Sequence, residues 1–321
     1  MKKLLSLTCP LFVLTLFLSA CENRQKDTLY HIGIVQITEA PLLDDARQGV
    51  IDSLKEEGFI DGTSIRITYK NGQGDMSSIP LIIKDFVSRR VDMIITDSTP
   101  CMVAAAQIVK DIPVVFTVAF SPQQLDMKDT PKNLTGVYDP MAMGDLIQLI
   151  KKCIPGIKKI GIPYNPSEQN AVLAAKQVRE ECRQSGIELV EMNVFSSNEV
   201  LQNVEVLAQK KIDAMVVSAD NTLSTGMAAV VKIAARKKIP LFVTEPGEVE
   251  RGACAGIGAD FYEWGRQSGK IAAQIIRGRR PEEIPVQPII AKVLYINVTA
   301  AQAQGITFPD DVIKKAAKVV H

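Results

Sequence analysis

Histidine is almost absent from this sequence, which has only His31 and His321 among its 321 residues. Because histidine is the commonest general base and a frequent metal ligand, its scarcity argues against a His-ligated metal site and against most acid–base catalysis. The chain also lacks GxSxG, Walker and HExxH patterns, and no GxGxxG opens its first helix. We therefore expect a protein that is not an enzyme and that uses no metal or cofactor.

An excess of charge of either sign is absent as well. The chain carries 37 Lys and Arg against 36 Asp and Glu, for a formal net charge of +1. A near-zero net charge gives no support to nucleic-acid binding, so no nucleic-acid partner is expected. Hydrophobic residues make up 46% of the chain, which is enough for packed cores.

Long apolar runs are confined to the N-terminus. Lys2 and Lys3 precede an apolar run over 4–18, and Leu18-Ser19-Ala20-Cys21 follows. This order is typical of an export signal, and LSAC resembles the bacterial lipobox, in which Cys21 is lipidated and becomes the first residue. We predict a lipoprotein signal peptide over 1–20, a polar tether over 21–28, and acyl chains such as palmitate that anchor Cys21 to a membrane. An ordinary signal peptide with a chance cysteine is the alternative.

After residue 29, continuously apolar strands alternate with amphipathic helices, which predicts parallel sheets covered on both faces. Three marker sequences then recur in the same order at a near-constant offset, so we predict two copies of one βαβ fold. The pairs are Ile32-Gly33-Ile34 with Ile160-Gly161-Ile162, Val91-Asp92 with Ile212-Asp213, and Ile112-Pro113 with Ile239-Pro240.

The predicted fold class is therefore α/β, with two doubly wound parallel-sheet lobes joined by a multi-strand hinge. The first crossing between lobes is expected at Asp139, and the C-terminal segment is too small to form a domain of its own. We assign 29–138 plus about 260–283 to lobe 1, and 139–259 plus about 284–321 to lobe 2.

The cysteines show no CxxC spacing. An exported chain can form disulfides, and Cys153 with Cys182 in lobe 2 is the preferred pair. Four buried free thiols are an equal alternative, because pairing cannot be read from spacing. The residues concerned are Cys101, Cys153, Cys182 and Cys254.

Several short segments carry a family resemblance over most of the chain, from Tyr30 to Gly305. They are, in order, QITEAP, YKNGQGDMSS, DSTP, IPVVFT, NLTGV, YNPSEQN, ADN and GRQSGK. The chain resembles the substrate-binding lipoproteins of ABC transporters of the tryptophan/tyrosine type. The resemblance implies a type I periplasmic-binding-protein fold. It also implies an extracytoplasmic receptor that delivers an aromatic or other amino acid to a membrane permease driven by an ATPase.

Ligands of open α/β sheets collect at the carboxyl ends of the strands, where helices begin. An amino acid is a zwitterion, so it needs donors for its carboxylate and acceptors for its ammonium group. The candidate ligand-binding residues share a place at such strand ends: Gln36, Thr99 and Cys101 in lobe 1, and Tyr164, Asn165, Ser167, Asn170, Asp220, Asn221 and Glu245 in lobe 2.

Individual roles follow from residue chemistry. Asp220 is the expected partner of the ammonium group, with Glu245 as second candidate; the alternative is that Asp220 only caps the following helix. Ser167 is expected to cap the helix after the YNPSEQN segment, and Glu168 to stabilise its first turn. Trp264 is expected in a core or on a lobe surface.

Two departures from the family pattern leave the ligand open: Ala119-Phe120-Ser121-Pro122 lacks an acidic group that relatives often have, and Ala171 stands where a serine is common. A sugar or nucleoside receptor of the same fold is one alternative, although aromatic residues are only 5% of the chain. A ligand sensor without transport is another.

Overall fold

The computed structural model describes residues 29–141 and 143–321. The predicted signal peptide, the tether and the lipidated Cys21 lie outside these ranges. Within the described ranges, no helix is both long enough and apolar enough to cross a membrane.

The strands and helices alternate along the chain as the apolar pattern predicts. The strands are β1 Tyr30–Gln36, β2 Ile65–Asn71, β3 Met93–Asp97, β4 Val114–Ala119, β5 Leu134–Tyr138, β6 Lys159–Tyr164, β7 Glu188–Asn193, β8 Ala214–Val217, β9 Leu241–Val243, β10 Ala255–Ala259, β11 Gln287–Pro288, β12 Lys292–Asn297 and β13 Lys318–Val320. The helices are α1 Pro41–Glu56, α2 Ser78–Ser88, α3 Thr99–Ile108, α4 Met143–Cys153, α5 Gln169–Gln184, α6 Val200–Ala208, α7 Asn221–Thr225, α8 Met227–Lys237, α9 Phe261–Ile276, α10 Val298–Ala303 and α11 Asp310–Lys315.

The strands form two sheets, one for each lobe, and this confirms the predicted fold class. The lobe 1 sheet has the order β11-β5-β4-β3-β1-β2, and its strands pair in parallel. The lobe 2 sheet has the order β13-β12-β10-β9-β8-β6-β7, and only the β10–β12 pair is antiparallel among its described pairs.

Each sheet is buried on both faces. In β1, Ile32 and Ile34 pack towards α1 and α9, while Val35 belongs to the core on the opposite face. The two helices α1 and α9 approach each other closely: a Cβ on Gly265 would lie 1.8 Å from the carbonyl oxygen of Ala46. A side chain at this position would therefore separate the pair, and glycine allows the contact.

The chain passes between the lobes three times: after β5, between β10 and α9, and between β11 and β12. Gln287 of β11 is in register with Val137 of β5 in lobe 1. The last crossing therefore lies after Pro288, later than the boundary near residue 284 expected from sequence.

The four described cysteines are buried and free. Cys153, Cys182 and Cys254 lie in one apolar cluster of lobe 2, and Cys101 lies in lobe 1. The suggested Cys153–Cys182 disulfide is thus wrong, and the alternative of four free thiols holds.

Candidate functional site

The strand ends of the two lobes face each other across a cavity of about 600 Å³, counting the solvent space into which it opens. Lobe 1 contributes the starts of α1 and α3, the end of β4 and the start of α9, and lobe 2 contributes the starts of α5 and α7 and the segment after β9.

One wall of the cavity is apolar and partly aromatic. Trp264 is 3% exposed and donates its indole Nε1–H to the carbonyl oxygen of Val137 at 2.8 Å. Its ring meets that of Phe261 edge to face, with centroids 5.6 Å apart. A flat apolar ligand group fits such a wall. The wall consists of Leu42, Leu43, Val118, Phe120, Phe261 and Trp264.

In lobe 1, the polar edge of the cavity is the start of α3, where Ser98 and Thr99 line the space. The Thr99 hydroxyl oxygen accepts from the backbone N–H of Phe120 at 3.2 Å, so its own proton remains available for donation. The first turn of α3 also presents unpaired backbone N–H groups, which favour an anionic group.

Two lobe 1 candidates do not reach the cavity. The Gln36 amide is buried and donates to the Thr38 carbonyl oxygen and Asp44, while it accepts from Arg47 at 2.6 Å. Cys101 packs in the apolar core, and burial raises the pKa of its thiol. The predicted ligand contact of Gln36 is therefore wrong in this conformation. The contact expected of Cys101 is through its backbone N–H in the first turn of α3, and it stays a prediction because burial of the thiol does not test it.

In lobe 2, the YNPSEQN segment does not end in the expected serine cap. The Ser167 backbone N–H donates to Asn165 Oδ1 at 2.9 Å, and α5 begins two residues later with Glu168 at the N-cap position. The Ser167 side chain makes no capping hydrogen bond, because the turn is closed by Asn165 instead.

Glu168 is 1% exposed, and its carboxylate crosses to the start of α7. It accepts from the backbone N–H groups of Asn221 at 3.0 Å and Thr222 at 3.1 Å, and from the Thr222 hydroxyl at 2.7 Å. Glu168 therefore caps a neighbouring helix rather than its own, and it ties together the two loops that carry Asn170 and Asn221.

Asp220 lies at the N-cap of α7 and lines the cavity. Its two carboxylate oxygens accept from the backbone N–H groups of Leu223 at 2.8 Å and Asn165 at 2.6 Å. Burial, followed by the nearby charge of Glu168, raises the pKa of Asp220. Asp220 thus caps α7, which is the alternative role expected for it from sequence.

Asn170 and Glu245 also line the cavity. Asn170 is 5% exposed; its Nδ2 donates to the Ala219 carbonyl oxygen at 2.7 Å, whereas its Oδ1 has no partner. The Glu245 carboxylate has no hydrogen bond or ion pair with any residue in 29–141 and 143–321. Burial raises the pKa of Glu245, and the nearby charges of Glu248 and Asp220 raise it further.

The remaining candidates divide between two places. Asn221 lines both the main cavity and a second, adjoining one of about 670 Å³, counting open solvent, that lies between the lobes. Asn165 and Ser167 line only this second cavity. Tyr164 packs against the lobe 2 core instead. Sequence analysis missed the apolar wall residues at the starts of α1 and α9, and it did not assign Asp139, which lines the main cavity at the first crossing.

The backbone is strained at three strand ends around the cavity. Ser98, Val118 and Ala219 have φ values of 104°, 47° and 23°, although none of them is glycine. Left-handed φ is unfavourable for side chains, most of all for β-branched valine, and such strain is concentrated at functional sites.

Comparison with known proteins is consistent with this geometry. Residues 31–320 match the family model described as ABC transporter substrate binding protein. The chain is 34% identical over 288 residues to a tyrosine-binding protein of Clostridioides difficile, covering 88% of this chain and 83% of the relative. A solved glucose-galactose binding protein from Geobacillus stearothermophilus shares the fold at only 16% identity.

Two solved structures of similar identity differ in how well they superpose on this chain. A Streptococcus pneumonia protein in complex with L-Trp is 31% identical, covers 91% of this chain and 100% of its own, and superposes with a TM-score of 0.85. A ligand-free, open substrate binding protein from Clostridium difficile is 32% identical, covers 91% of this chain and 99% of its own, and reaches only 0.67. The chain as a whole therefore superposes better on the complex than on the open form. On the strength of the family match and these relatives, the chain belongs to the ABC transporter substrate-binding protein family.

Proposed function

We propose that this protein is the extracytoplasmic receptor of an ABC importer and that it binds an aromatic amino acid between its lobes. The observation that carries the proposal is the composition of the cavity. One wall is apolar and aromatic, one polar edge offers hydrogen-bond donors from lobe 1, and the opposite edge offers carboxylate and amide oxygens from lobe 2.

The charges around the cavity favour a zwitterion over an anion. Asp139, Asp220 and Glu245 line the space, whereas no Lys, Arg or His is among the described lining residues. The start of α3, with Thr99, suits a carboxylate through neutral donors and the helix dipole. An ammonium group then belongs at the acidic edge in lobe 2, and the ligand side chain belongs against Trp264.

The relatives support an aromatic ligand, since one is named for tyrosine and another holds L-Trp. Closure of the lobes around the ligand is expected to stabilise the form that docks on the permease. We expect a Kd of about 1 μM or below, which corresponds to about −8 kcal/mol or better.

Membrane attachment through Cys21 completes the proposal. A lipid-anchored receptor stays near its permease, and two or three acyl chains suffice for stable attachment. Replacing Cys21 by serine is expected to release the protein from the membrane fraction without changing its ligand affinity.

The test is calorimetric titration of the purified protein with L-tyrosine and L-tryptophan, with D-glucose and L-glutamate as controls. Trp264 is the one tryptophan of the chain and lines the cavity, so its fluorescence reports occupancy when tyrosine is the ligand. Binding of an aromatic amino acid alone is the expected result. Saturable binding of glucose would overturn the proposal, and so would failure to bind either amino acid.

A further inference from the structure

We infer that Glu245 and Asn170 hold the ammonium group of the ligand, and that Asp220 is a positioning residue that does not bind this group. The inference rests on the proposed function, because it assigns the cationic pole of the same cavity. It reverses the preference for Asp220 that residue type and strand position suggest.

Asp220 already has partners for both of its oxygens. They accept from the backbone N–H groups of Leu223 and Asn165, in two different loops. A carboxylate held in this way fixes the start of α7 and the turn after β6, and it shapes the cavity edge. Its acceptor capacity towards the cavity is correspondingly reduced.

Asn170 presents an acceptor whose orientation is fixed by its surroundings. Its Nδ2 donates to the Ala219 carbonyl oxygen at 2.7 Å and to Glu168 Oε2 at 3.2 Å. A flipped amide would point Oδ1 at these two acceptors, which disfavours the flip. Oδ1 therefore stays on the other side, buried and without a partner, in a side chain that lines the cavity.

An unpartnered buried amide oxygen costs free energy unless a ligand donates to it. Glu245 supplies the opposite charge at the same cavity, and its carboxylate makes no contact with a donor among the described residues. Asp139 is less available, since its Oδ1 accepts from the Met141 backbone N–H at 2.8 Å. A group with several N–H donors and a positive charge satisfies both Glu245 and Asn170, and an ammonium group has these properties.

The same cavity edge does not point to a metal ion. Across the described ranges, no group of three or more His, Cys, Asp or Glu side chains comes together with the geometry to hold one. An amide oxygen and a free carboxylate from residues that line the same cavity are instead suitable acceptors for one ammonium group.

The experiment pairs two variants with two ligands. Glu245→Gln and Asp220→Asn each replace a carboxyl group by an amide with little change of shape. L-tyrosine and its des-amino analogue differ only in the ammonium group; L-tryptophan and its des-amino analogue replace them if the wild type binds tryptophan more tightly. Calorimetry gives the affinity of the wild type and of each variant for both ligands, and thermal unfolding verifies that each variant is folded.

For Glu245→Gln, we expect the affinity for the amino acid to fall about 100-fold and that for the des-amino analogue to change less than about threefold. For Asp220→Asn, we expect similar losses for both ligands, since the cavity edge itself is altered. Asn170→Ala, as a third variant, should also lose more affinity for the amino acid than for its des-amino analogue.

Equal losses of both ligands in Glu245→Gln, or no loss of either, would overturn the inference. A selective loss confined to Asp220→Asn would return the ammonium group to Asp220. Failure of the proposed function is visible separately, because the wild-type protein would then bind neither aromatic amino acid.

Discussion

Gly247 is the position at which one added methyl group should oppose closure of the lobes. It lies in the short 3₁₀ turn Pro246–Val249 of lobe 2, directly after Glu245 and Pro246. A Cβ on Gly247 would lie 2.2 Å from Cδ2 of Leu42, at the start of α1 in lobe 1. Carbon atoms in contact are ordinarily about 3.5–4.0 Å apart. Gly247 does not have a positive φ, so its own backbone accepts alanine.

Gly247→Ala should destabilise the closed form alone, because the added methyl group of lobe 2 clashes with Leu42 of lobe 1 only while the lobes are together. Overpacking by one methyl group costs about 1–3 kcal/mol, part of which Leu42 can relieve by changing rotamer. Since about 1.4 kcal/mol is tenfold in Kd, we expect the affinity to fall about 5- to 100-fold. The ligand-free unfolding temperature should stay near that of the wild type.

The assay is ligand titration by calorimetry, with small-angle scattering to follow closure. Gly144→Ala is the matched control, because a Cβ there would lie 3.4 Å from Glu181 within lobe 2. Leu42 also lines the cavity, so Leu42→Ala is itself expected to weaken binding. The clash is therefore isolated by the coupling free energy of a double-mutant cycle between Gly247→Ala and Leu42→Ala. Wild-type affinity in Gly247→Ala, or additive losses in the double variant, would refute the reasoning.

Three further predictions concern buried groups. Glu168→Gln should lower the free energy of unfolding by about 3 kcal/mol in urea titrations, because an amide cannot accept from all the donors at the start of α7; an unchanged midpoint would contradict this. The raised pKa of Asp220 means that the folded protein keeps a proton that the unfolded chain has lost, so ligand-free stability should fall as pH rises from about 4 towards 8. Unfolding temperatures across this range should vary less in Asp220→Asn, and an equal slope would exclude Asp220 as the cause. A thiol reagent should react only after unfolding with the buried residues Cys101, Cys153, Cys182 and Cys254.

The fold was predictable because it depends on local pattern. Apolar strands and amphipathic helices alternate with clear periods, and the repeat of Ile-Gly-Ile and Ile-Pro markers revealed two similar lobes. Even the first crossing at Asp139 is marked locally, by the proline that follows the strand. The last crossing was misplaced because β11 has only two residues and is recognised by its pairing with β5, not by its own sequence.

The site was predictable in part. Strand ends correctly indicated Thr99, Asn170 and Asp220 as cavity residues, but not which face each side chain takes. The Gln36 amide points towards α1, where it donates to Asp44 and accepts from Arg47. This orientation depends on packing between elements and not on local sequence. Trp264 reaches the cavity because α9 returns to lobe 1 after most of lobe 2 has passed in sequence, and no local pattern contains this contact.

The return of α9 and β11 to lobe 1 has a consequence for the order of events during synthesis. The lobe that begins the chain lacks one helix and an edge strand until residues 261–288 have emerged, by which time most of lobe 2 has been made. Lobe 2 in turn waits for β12 and β13, the last strands of the chain. Neither half can therefore mature early on its own, and a ribosome that stops before β11 releases two unfinished sheets with open edges.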